Sequence, residues 1–566
     1  MIGAIVVAWF GAALLANPKG DFPLMDDWSY GRAVKTLLEE GRLHYDGWNT
    51  PTLFLQVLYG ALFCLPFGFS FETLRISTLV AGLFGGLGVY VLLREASANR
   101  IVATLGSLTM LFSPSYAQHA FSFMTDVPFV ALVIASAVFF LRALRAGAPG
   151  DVALGTALAV AATLVRDIGL AIPLGYGLTL LATTFKSRSA LVRASLPLGI
   201  TLAVLLAYKA IISHYGITPL LQNAATDYIL LRVKTEGVAS VAWGVYQLSE
   251  ASFAHLAVFM LPLVIVLSAY RLRLVELKGR SRILLIISVP AFLLLMYWRF
   301  WPPSLPVRVF GIMDQVMHGT RPWAPANEPH LFRQTVWLAE FVATALTLLL
   351  LTSVAAGSFR REATGYRSEV KTGLFGAVTA FALLAPFLID GRFQERYLLP
   401  AVPFFAVSLV ALSKPDIGEL GWPRRIIGVA SGTALLLGYA TMSVLYAHDN
   451  LLWNRVRWDA VGYLVDKKEV APARIDGGLS VNGWFLFDAE GPLRARYADW
   501  RTQPPRWWRN DAADYRIAFH EEVLLEGPLG DPRQTPSGEG SQAVWARNFR
   551  GWLPGNRGAI VVFRDR

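Results

Sequence analysis

The sequence predicts an all-α polytopic membrane protein of about 13 transmembrane helices, with a small extracytoplasmic domain of mixed α/β type at its carboxyl end. Three observations predict this. Hydrophobic residues make up 54% of the 566 positions, charged residues only 16%, and the mean hydropathy is +0.46, a balance typical of chains that live in a bilayer. Apolar stretches approaching the roughly 20 residues that a membrane helix needs recur from residue 1 to residue 446. After about residue 447 these runs stop.

The stretches lie approximately at 1 to 17, 72 to 94, 100 to 117, 126 to 146, 151 to 166, 168 to 186, 191 to 213, 251 to 271, 281 to 299, 334 to 356, 371 to 389, 398 to 413 and 424 to 446. Met1 to Ala16 carries no positive n-region, so it reads as a first span and not as a cleaved signal peptide. Lys and Arg gather in alternate loops, at Arg94 and Arg100, Arg142 and Arg145, Lys186 to Arg193, Arg271 to Arg282, Arg360 to Lys371 and Lys414 to Arg425. The positive-inside tendency makes these loops cytoplasmic, the amino terminus inside and the carboxyl terminus outside. Loop 300 to 333, with Arg308, Arg321 and Arg333, runs against that tendency. Pro51 to Phe67 is apolar enough to cross, but crossing would reverse every later loop; it is read as a helix lying along the outer surface or re-entering shallowly, and Ser29 to Glu40 as another surface helix.

The domains are therefore residues 1–446, with a first outer loop at 18–71, and residues 447–566. Eight of the 17 tryptophans fall in the last 120 residues, and strand-like pieces such as Arg516 to Phe519 and Ala559 to Phe563 are separated by Gly and Pro. Aromatic faces stack on sugar rings, but Trp at a bilayer interface or in a small core is the commoner case.

The formal net charge of +11 belongs to loop Lys and Arg and not to a nucleic-acid footprint, so no nucleic-acid partner is expected. A single cysteine, Cys64, excludes an internal disulfide and a Cys-based metal site. His44, His119, His214, His318 and His330 show no metal-ligand spacing. There is no phosphate-cradling Gly-Lys loop, no Gly-x-Gly-x-x-Gly after a strand and no Ser nucleophile elbow. Any group that the protein transfers must arrive already activated, and a lipid-linked donor suits a membrane-embedded site.

Four polar clusters fall on the outer face: Asp26-Asp27, Thr125-Asp126, Arg166-Asp167 and Arg392 to Tyr397. Carboxylates beside a bilayer are costly unless they face water or a partner. Asp26 or Asp27 is suited to act as a general base on an acceptor hydroxyl or amine. Asp126 is suited to orient that acceptor, or to share with Asp26 a hard divalent cation such as Mg²⁺ or Mn²⁺. The plainer reading is helix capping, for which Asp26, Asp27, Thr125 and Asp126 are all good residue types. Arg166, Arg392 and Arg396 present the forked donors that grip a lipid phosphate; the plainer reading is a salt bridge, such as Arg392 or Arg396 with Glu395. Lys209 joins them as a phosphate partner or snorkels to the surface.

These clusters resemble the motifs of the GT-C glycosyltransferases, multi-spanning enzymes that use polyprenyl-phosphate sugars, and among them the bacterial branch similar to protein O-mannosyltransferases and the aminoarabinose transferase of lipid A. Asp26-Asp27-Trp28-Ser29-Tyr30 is similar to the family's Asp-Glu-x-x-Tyr in the first outer loop, and Asn49 to Arg75 to its surface helix and the start of span two. Phe123-Met124-Thr125-Asp126-Val127-Pro128 resembles the second acidic motif, and Glu395-Arg396-Tyr397-Leu398-Leu399-Pro400 the late Arg-Tyr-Leu-Leu-Pro motif. The resemblance covers roughly residues 1 to 446, and its specificity lies in the order and shared sidedness of motifs that are weak singly.

The resemblance implies inverting transfer, in which an acidic residue of the first loop activates the acceptor and a lipid phosphate leaves. Asp26 matches the catalytic acid, and Asp27 stands where Glu is commoner, which leaves open which of the two is the base. Tyr30, Asp167 and Glu395 are expected to meet the acceptor or the donor sugar, and Tyr397 to join the arginines at the lipid phosphate. Metal dependence varies among such enzymes. The expected function is sugar transfer from a polyprenyl-phosphate donor to a glycan, lipid or protein acceptor at the outer face of a cytoplasmic membrane. The rival is a transporter or flippase of a lipid-linked substrate, which would place its ionisable residues near mid-membrane in broken helices.

Overall fold

The computed structural model describes residues 1–48, 51–184, 188–219, 224–271, 338–351, 367–391, 394–413, 422–487, 510–520, 541–553 and 557–565. Its first half runs through α1 (Ile2–Ala16), α2 (Asp27–Glu40), α3 (Phe54–Phe67), α4 (Phe71–Glu95), α5 (Arg100–Leu111), α6 (Pro114–Ala120), α7 (Asp126–Ala146) and α8 (Pro149–Thr163). A 3₁₀ turn at Asp167–Leu170 leads into α9 (Ala171–Thr184), followed by α10 (Arg188–His214), α11 (Ala224–Glu236), α12 (Val238–Phe259) and α13 (Leu261–Arg271). The described residues continue with α14 (Leu338–Leu351), α15 (Arg367–Asp390), α16 (Val402–Ser413), α17 (Trp422–Gly462) and α18 (Leu479–Leu486).

Local chemistry sets several boundaries. Ser70 opens α4 by accepting the Thr73 N–H, and Asn99 opens α5 by accepting those of Ile101 and Val102, each satisfying donors that the first helical turn leaves free. Gly41 closes α2 in the left-handed region, at φ 66°.

Six helices among the described residues are long and apolar enough to cross a membrane: Phe71–Glu95, Asp126–Ala146, Asp167–Thr184, Ser189–His214, Ser368–Asp390 and Ile426–Lys467. A bent pair, Val238–Phe259 with Leu261–Tyr270, makes a seventh if it counts as one span. The expected stretch 281 to 299 lies outside the described residues, as does part of 334 to 356. Two expected spans are interrupted. The stretch 100 to 117 divides into α5 and α6 because Pro114 forces Ser113 into extended backbone, at ψ 134°. The stretch 251 to 271 bends by 77° between α12 and α13. There Pro262 has no N–H for the carbonyl of Val258, and the Tyr439 hydroxyl donates to that carbonyl instead, at 2.7 Å.

Glycines on α4 allow close packing in the core. A Cβ at Gly85 would lie 2.3 Å from the Tyr116 hydroxyl, and that hydroxyl donates to the Gly82 carbonyl at 3.0 Å. Elsewhere α1 and α10 turn Val7, Phe10 and Leu14, and Leu196, Ile200 and Leu206, outward, as helices bordering lipid do. The short helices α2 and α3 pack on each other through Tyr30, Val34, Val57 and Ala61, with Phe71, Leu74 and Phe123 beneath.

The change of composition near residue 447 does not end a helix. α17 continues as one piece to Gly462, and its polar end carries the small carboxyl-terminal sheet. The sheet has β1 (Ile475–Asp476), β2 (Tyr515–His520), β3 (Ser541–Arg550) and β4 (Arg557–Asp565) in the order β1-β2-β4-β3. β1 runs parallel to β2, and the other pairs are antiparallel. Both expected strands, 516 to 519 and 559 to 563, fall inside β2 and β4. Asp449 of α17 accepts the N–H groups of Trp552 and Leu553, at 2.7 and 2.9 Å, and so ties the β3 end to the helix.

Two contacts fix the first outer loop. The buried Arg75 of α4 donates to the carbonyls of Pro18, Gly20, Phe22 and Phe121, at 2.6 to 3.0 Å. From much later in the chain, α18 docks on α2, where Arg32 donates to the carbonyls of Gly483, Trp484 and Phe487 at the end of that helix. A Cβ at Gly483 would lie 2.4 Å from the Trp28 ring.

Replacing Arg75 by Leu strands these carbonyls, and thermal unfolding in detergent is expected to show a loss of about 3 kcal/mol or more. Gly483→Ala should loosen α18 from α2 by about 1–3 kcal/mol. Limited proteolysis will read this as faster cleavage near residue 487, with the membrane helices unaffected.

Candidate active site

The segment leaving α1 carries the acidic pair, and its fold separates the two acids. Asp27 is buried, and its carboxylate accepts the backbone N–H groups of Leu24 at 2.8 Å, Met25 at 3.0 Å and Phe123 at 3.2 Å. Burial raises the pKa of this group, while the three N–H donors and Arg75 pull it back. Asp27 thus pins the first loop to the strip of chain just before α7. Asp26 turns the other way. Its Oδ1 accepts the indole N–H of Trp48 at 3.1 Å, its Oδ2 lies 3.7 Å from Nη2 of Arg396, and a fifth of its side chain (20%) stays exposed.

Capping does not account for these residues. Asp26 and Thr125 stand at the N-cap positions of α2 and α7, yet neither side chain bonds a free N–H there. Asp126, the first residue of α7, is fully buried, and its Oδ1 takes Nη1 of Arg166 at 2.8 Å. Arg166 stands just before the 3₁₀ turn that follows α8, and Arg396 sits on a 3₁₀ turn (Glu395–Leu398) between α15 and α16. Residues far apart in sequence therefore meet at one place. Tyr30, one turn along α2, feels the charges of Asp26, Arg396, Arg166 and Asp126 together. Burial first, and Asp26 second, push its phenol pKa up, so it stays a neutral hydroxyl.

Several polar atoms here are buried without a partner among the described residues: Nε and Nη1 of Arg396, Oδ2 of Asp126 and Nε2 of His119. Buried polar groups are nearly always satisfied, so a concentration of exceptions marks a place built for a polar ligand. His119 of α6 has its Nδ1 2.7 Å from the Ser115 carbonyl, which can only accept. The proton of the neutral ring is therefore on Nδ1, and Nε2 presents a lone pair.

The other residues singled out in the sequence are placed as follows. Tyr397 stacks on Phe387, with ring centroids 4.1 Å apart, and its ring lies 5.6 Å from the Arg396 guanidinium. Glu395 is buried and influences Tyr446 on α17, and no Arg396–Glu395 bridge forms; Arg396 faces Asp26 instead. Asp167 is exposed at the start of its turn. Lys209 is half-buried on α10 and makes no hydrogen bond or ion pair among the described residues. Arg392 lies outside the described residues.

A divalent cation shared by Asp26 and Asp126 would have to compete with arginine side chains. Each carboxylate proposed to hold it already faces a guanidinium, Asp126 that of Arg166 and Asp26 that of Arg396, so an added cation would meet two fixed positive charges. Among the described residues no three His, Cys, Asp or Glu side chains gather into a metal-binding group.

Two residues of this site escaped the sequence reading. Trp48 orients Asp26 from 22 positions away, and its only sequence signal is an aromatic residue next to the Asn49 to Arg75 stretch. His119 carried the right chemistry, but a search for metal spacing passes over a histidine whose partners come from other helices.

No protein-family profile and no curated protein matches this chain. Solved structures do. An Archaeoglobus fulgidus oligosaccharyltransferase, in complex with Zn and sulfate, is 15% identical, with 82% of this chain and 55% of that chain covered and a TM-score of 0.43. ArnT from Cupriavidus metallidurans, bound to undecaprenyl phosphate, is 13% identical, with 99% and 97% covered and a TM-score of 0.37. The Pmt1-Pmt2 protein O-mannosyltransferase complex of S. cerevisiae, bound to the sugar donor, is 15% identical, with 37% and 33% covered and a TM-score of 0.29. The chain thus spans little more than half the length of the archaeal enzyme. All three are GT-C glycosyltransferases, the group that the motifs resemble.

Proposed function

We propose that this protein transfers a sugar from a polyprenyl-phosphate donor to a hydroxyl or amine acceptor, on a glycan, lipid or protein, at the outer face of a cytoplasmic membrane. One observation carries the reading: a partly exposed carboxylate, Asp26, faces a guanidinium, Arg396, that keeps two buried nitrogens unpartnered. That is a base beside an anion cradle.

The geometry supports the following division of labour. Arg396 holds a phosphate oxygen of the donor through Nε and Nη1, and Arg166, fixed by Asp126, adds a second positive charge. The acceptor attacks the anomeric carbon from the side opposite the phosphate, giving inversion. Asp26 takes the acceptor's proton as the new bond forms. The bond between the anomeric carbon and the phosphate oxygen breaks, its electron pair stays on that oxygen, and the lipid phosphate gains a negative charge facing the two guanidiniums. Tyr30, a neutral hydroxyl in the same field, is placed to donate to the phosphate or the sugar. Asp27, with its oxygens taken by three N–H groups, holds the loop and not the proton.

The test uses the full chain in proteoliposomes with a labelled polyprenyl-phosphate sugar. Asp26→Asn is expected to lower kcat by about 100-fold or more with little change in donor affinity. Asp27→Asn should lower thermal stability and the yield of folded protein, while folded molecules keep substantial turnover. Arg396→Gln should raise the donor KM by roughly 10- to 100-fold, the loss of a charge-assisted contact. Full activity in Asp26→Asn overturns the assignment of the base.

A further inference from the structure

His119 has no role in the mechanism above, yet its Nε2 is one of the buried atoms that the site leaves unpartnered. The charged side chains that act on it come from three other elements: Asp126 of α7, Arg396 of the 3₁₀ turn and Arg166 after α8. On α6 itself its partner is the Ser115 carbonyl, and the adjoining Gln118, not His119, meets Tyr446 of α17. Burial lowers the ring's affinity for a proton, Asp126 opposes this, and Arg396 and Arg166 reinforce it.

Charge balance gives the ring a task. Before a ligand enters, the two carboxylates of Asp26 and Asp126 match the two guanidiniums of Arg166 and Arg396. A phosphodiester brings one negative charge into this balanced and mostly buried place, and an uncompensated buried charge is expensive. A neutral imidazole with its lone pair free is the group able to answer by taking a proton. We infer that His119 is a phosphate-binding residue of this site: as the donor enters, Nε2 accepts one proton from solution and donates it as a hydrogen bond to a phosphate oxygen. The inference rests on the reading of the site as a lipid-phosphate site.

During transfer the phosphate gains a second negative charge while Asp26 gains the acceptor's proton. The imidazolium then leaves the site balanced, with no further proton needed. The ring is neutral again once the lipid phosphate has left.

The experiment measures binding of polyprenyl methyl phosphate, a phosphodiester with a single charge at every pH used and no sugar, to the full chain in nanodiscs from pH 5.5 to 8.5. Wild-type affinity should rise as pH falls, by about tenfold for each unit by which the ligand raises the ring's pKa within that window. Calorimetry in buffers of different ionisation enthalpy should show proton uptake on binding at neutral pH. His119→Gln keeps a hydrogen-bonding group near Nε2 but cannot be charged, and His119→Asn keeps only the reach to Ser115. Both should bind with a flat pH profile and without proton uptake. A wild-type profile as flat as those of the variants overturns the inference, as does an equal slope in all three. So does a variant that weakens only the sugar-bearing donor, since Nε2 would then be accepting from a sugar hydroxyl. Arg396→Gln separates this inference from the reading beneath it. If that variant binds the phosphodiester as well as wild type, the lipid-phosphate site itself is wrong; if it binds weakly while the His119 variants keep the wild-type slope, only the role of His119 falls.

Discussion

The site depends on a double tie between the first outer loop and the chain just before α7. Arg75 grips the loop through three of its carbonyls and reaches Phe121 with the same guanidinium, while Asp27 takes two of the loop's N–H groups and that of Phe123. One side chain satisfies acceptors and the other satisfies donors, so a segment without regular structure loses few hydrogen bonds on burial. The tie sets where Asp26 stands relative to Asp126, since each acid lies within a few residues of a pinned atom. A charged residue at the start of a membrane helix is expensive, and the four carbonyls that Arg75 satisfies offset that cost.

Around that tie the electrostatics are arranged in pairs, and each pair is incomplete. Arg166 and Asp126 meet closely, but one Asp126 oxygen is left over; Arg396 and Asp26 stand at 3.7 Å, too far for a good hydrogen bond, and two Arg396 nitrogens are left over. A cluster tuned for stability alone would close these gaps, because unpartnered buried groups cost about 1–3 kcal/mol each. The free protein bears this cost, and a ligand that supplies the missing partners recovers it on binding.

Much of the fold could be read from the chain because hydrophobic runs and helix punctuation are local signals. The strands at 515 to 520 and 557 to 565 and the short helices α2 and α3 form where the pattern puts strand and helix. Pro114 and Pro262 lie inside the two runs that break, and run length alone does not register them. The acidic pair shows the other limit. Asp26 and Asp27 are identical in type and adjacent in sequence, and what separates them is which groups come within reach: the Phe123 N–H that Asp27 takes lies 96 positions away, and the Arg396 that Asp26 faces is farther still. His119 was hidden for the same reason: its charged neighbours arrive from three elements.

Two segments more than 430 positions apart close on each other beside Asp26. Trp48, which holds Asp26, packs its ring edge-on against Phe487 at 5.7 Å, and Arg32 of the same surface layer reaches carbonyls as many as 455 positions later. Ribosomes make the first loop long before residues 483 to 487 exist, so during synthesis the indole that orients Asp26 has no wall behind it. The membrane part can insert in order from its amino end, but the indole beside Asp26 meets its wall only after residues 483 to 487 have been made. A half-made molecule would therefore not yet have a fully held acid, and the order of synthesis puts the support of Asp26 after that of the membrane helices before α18.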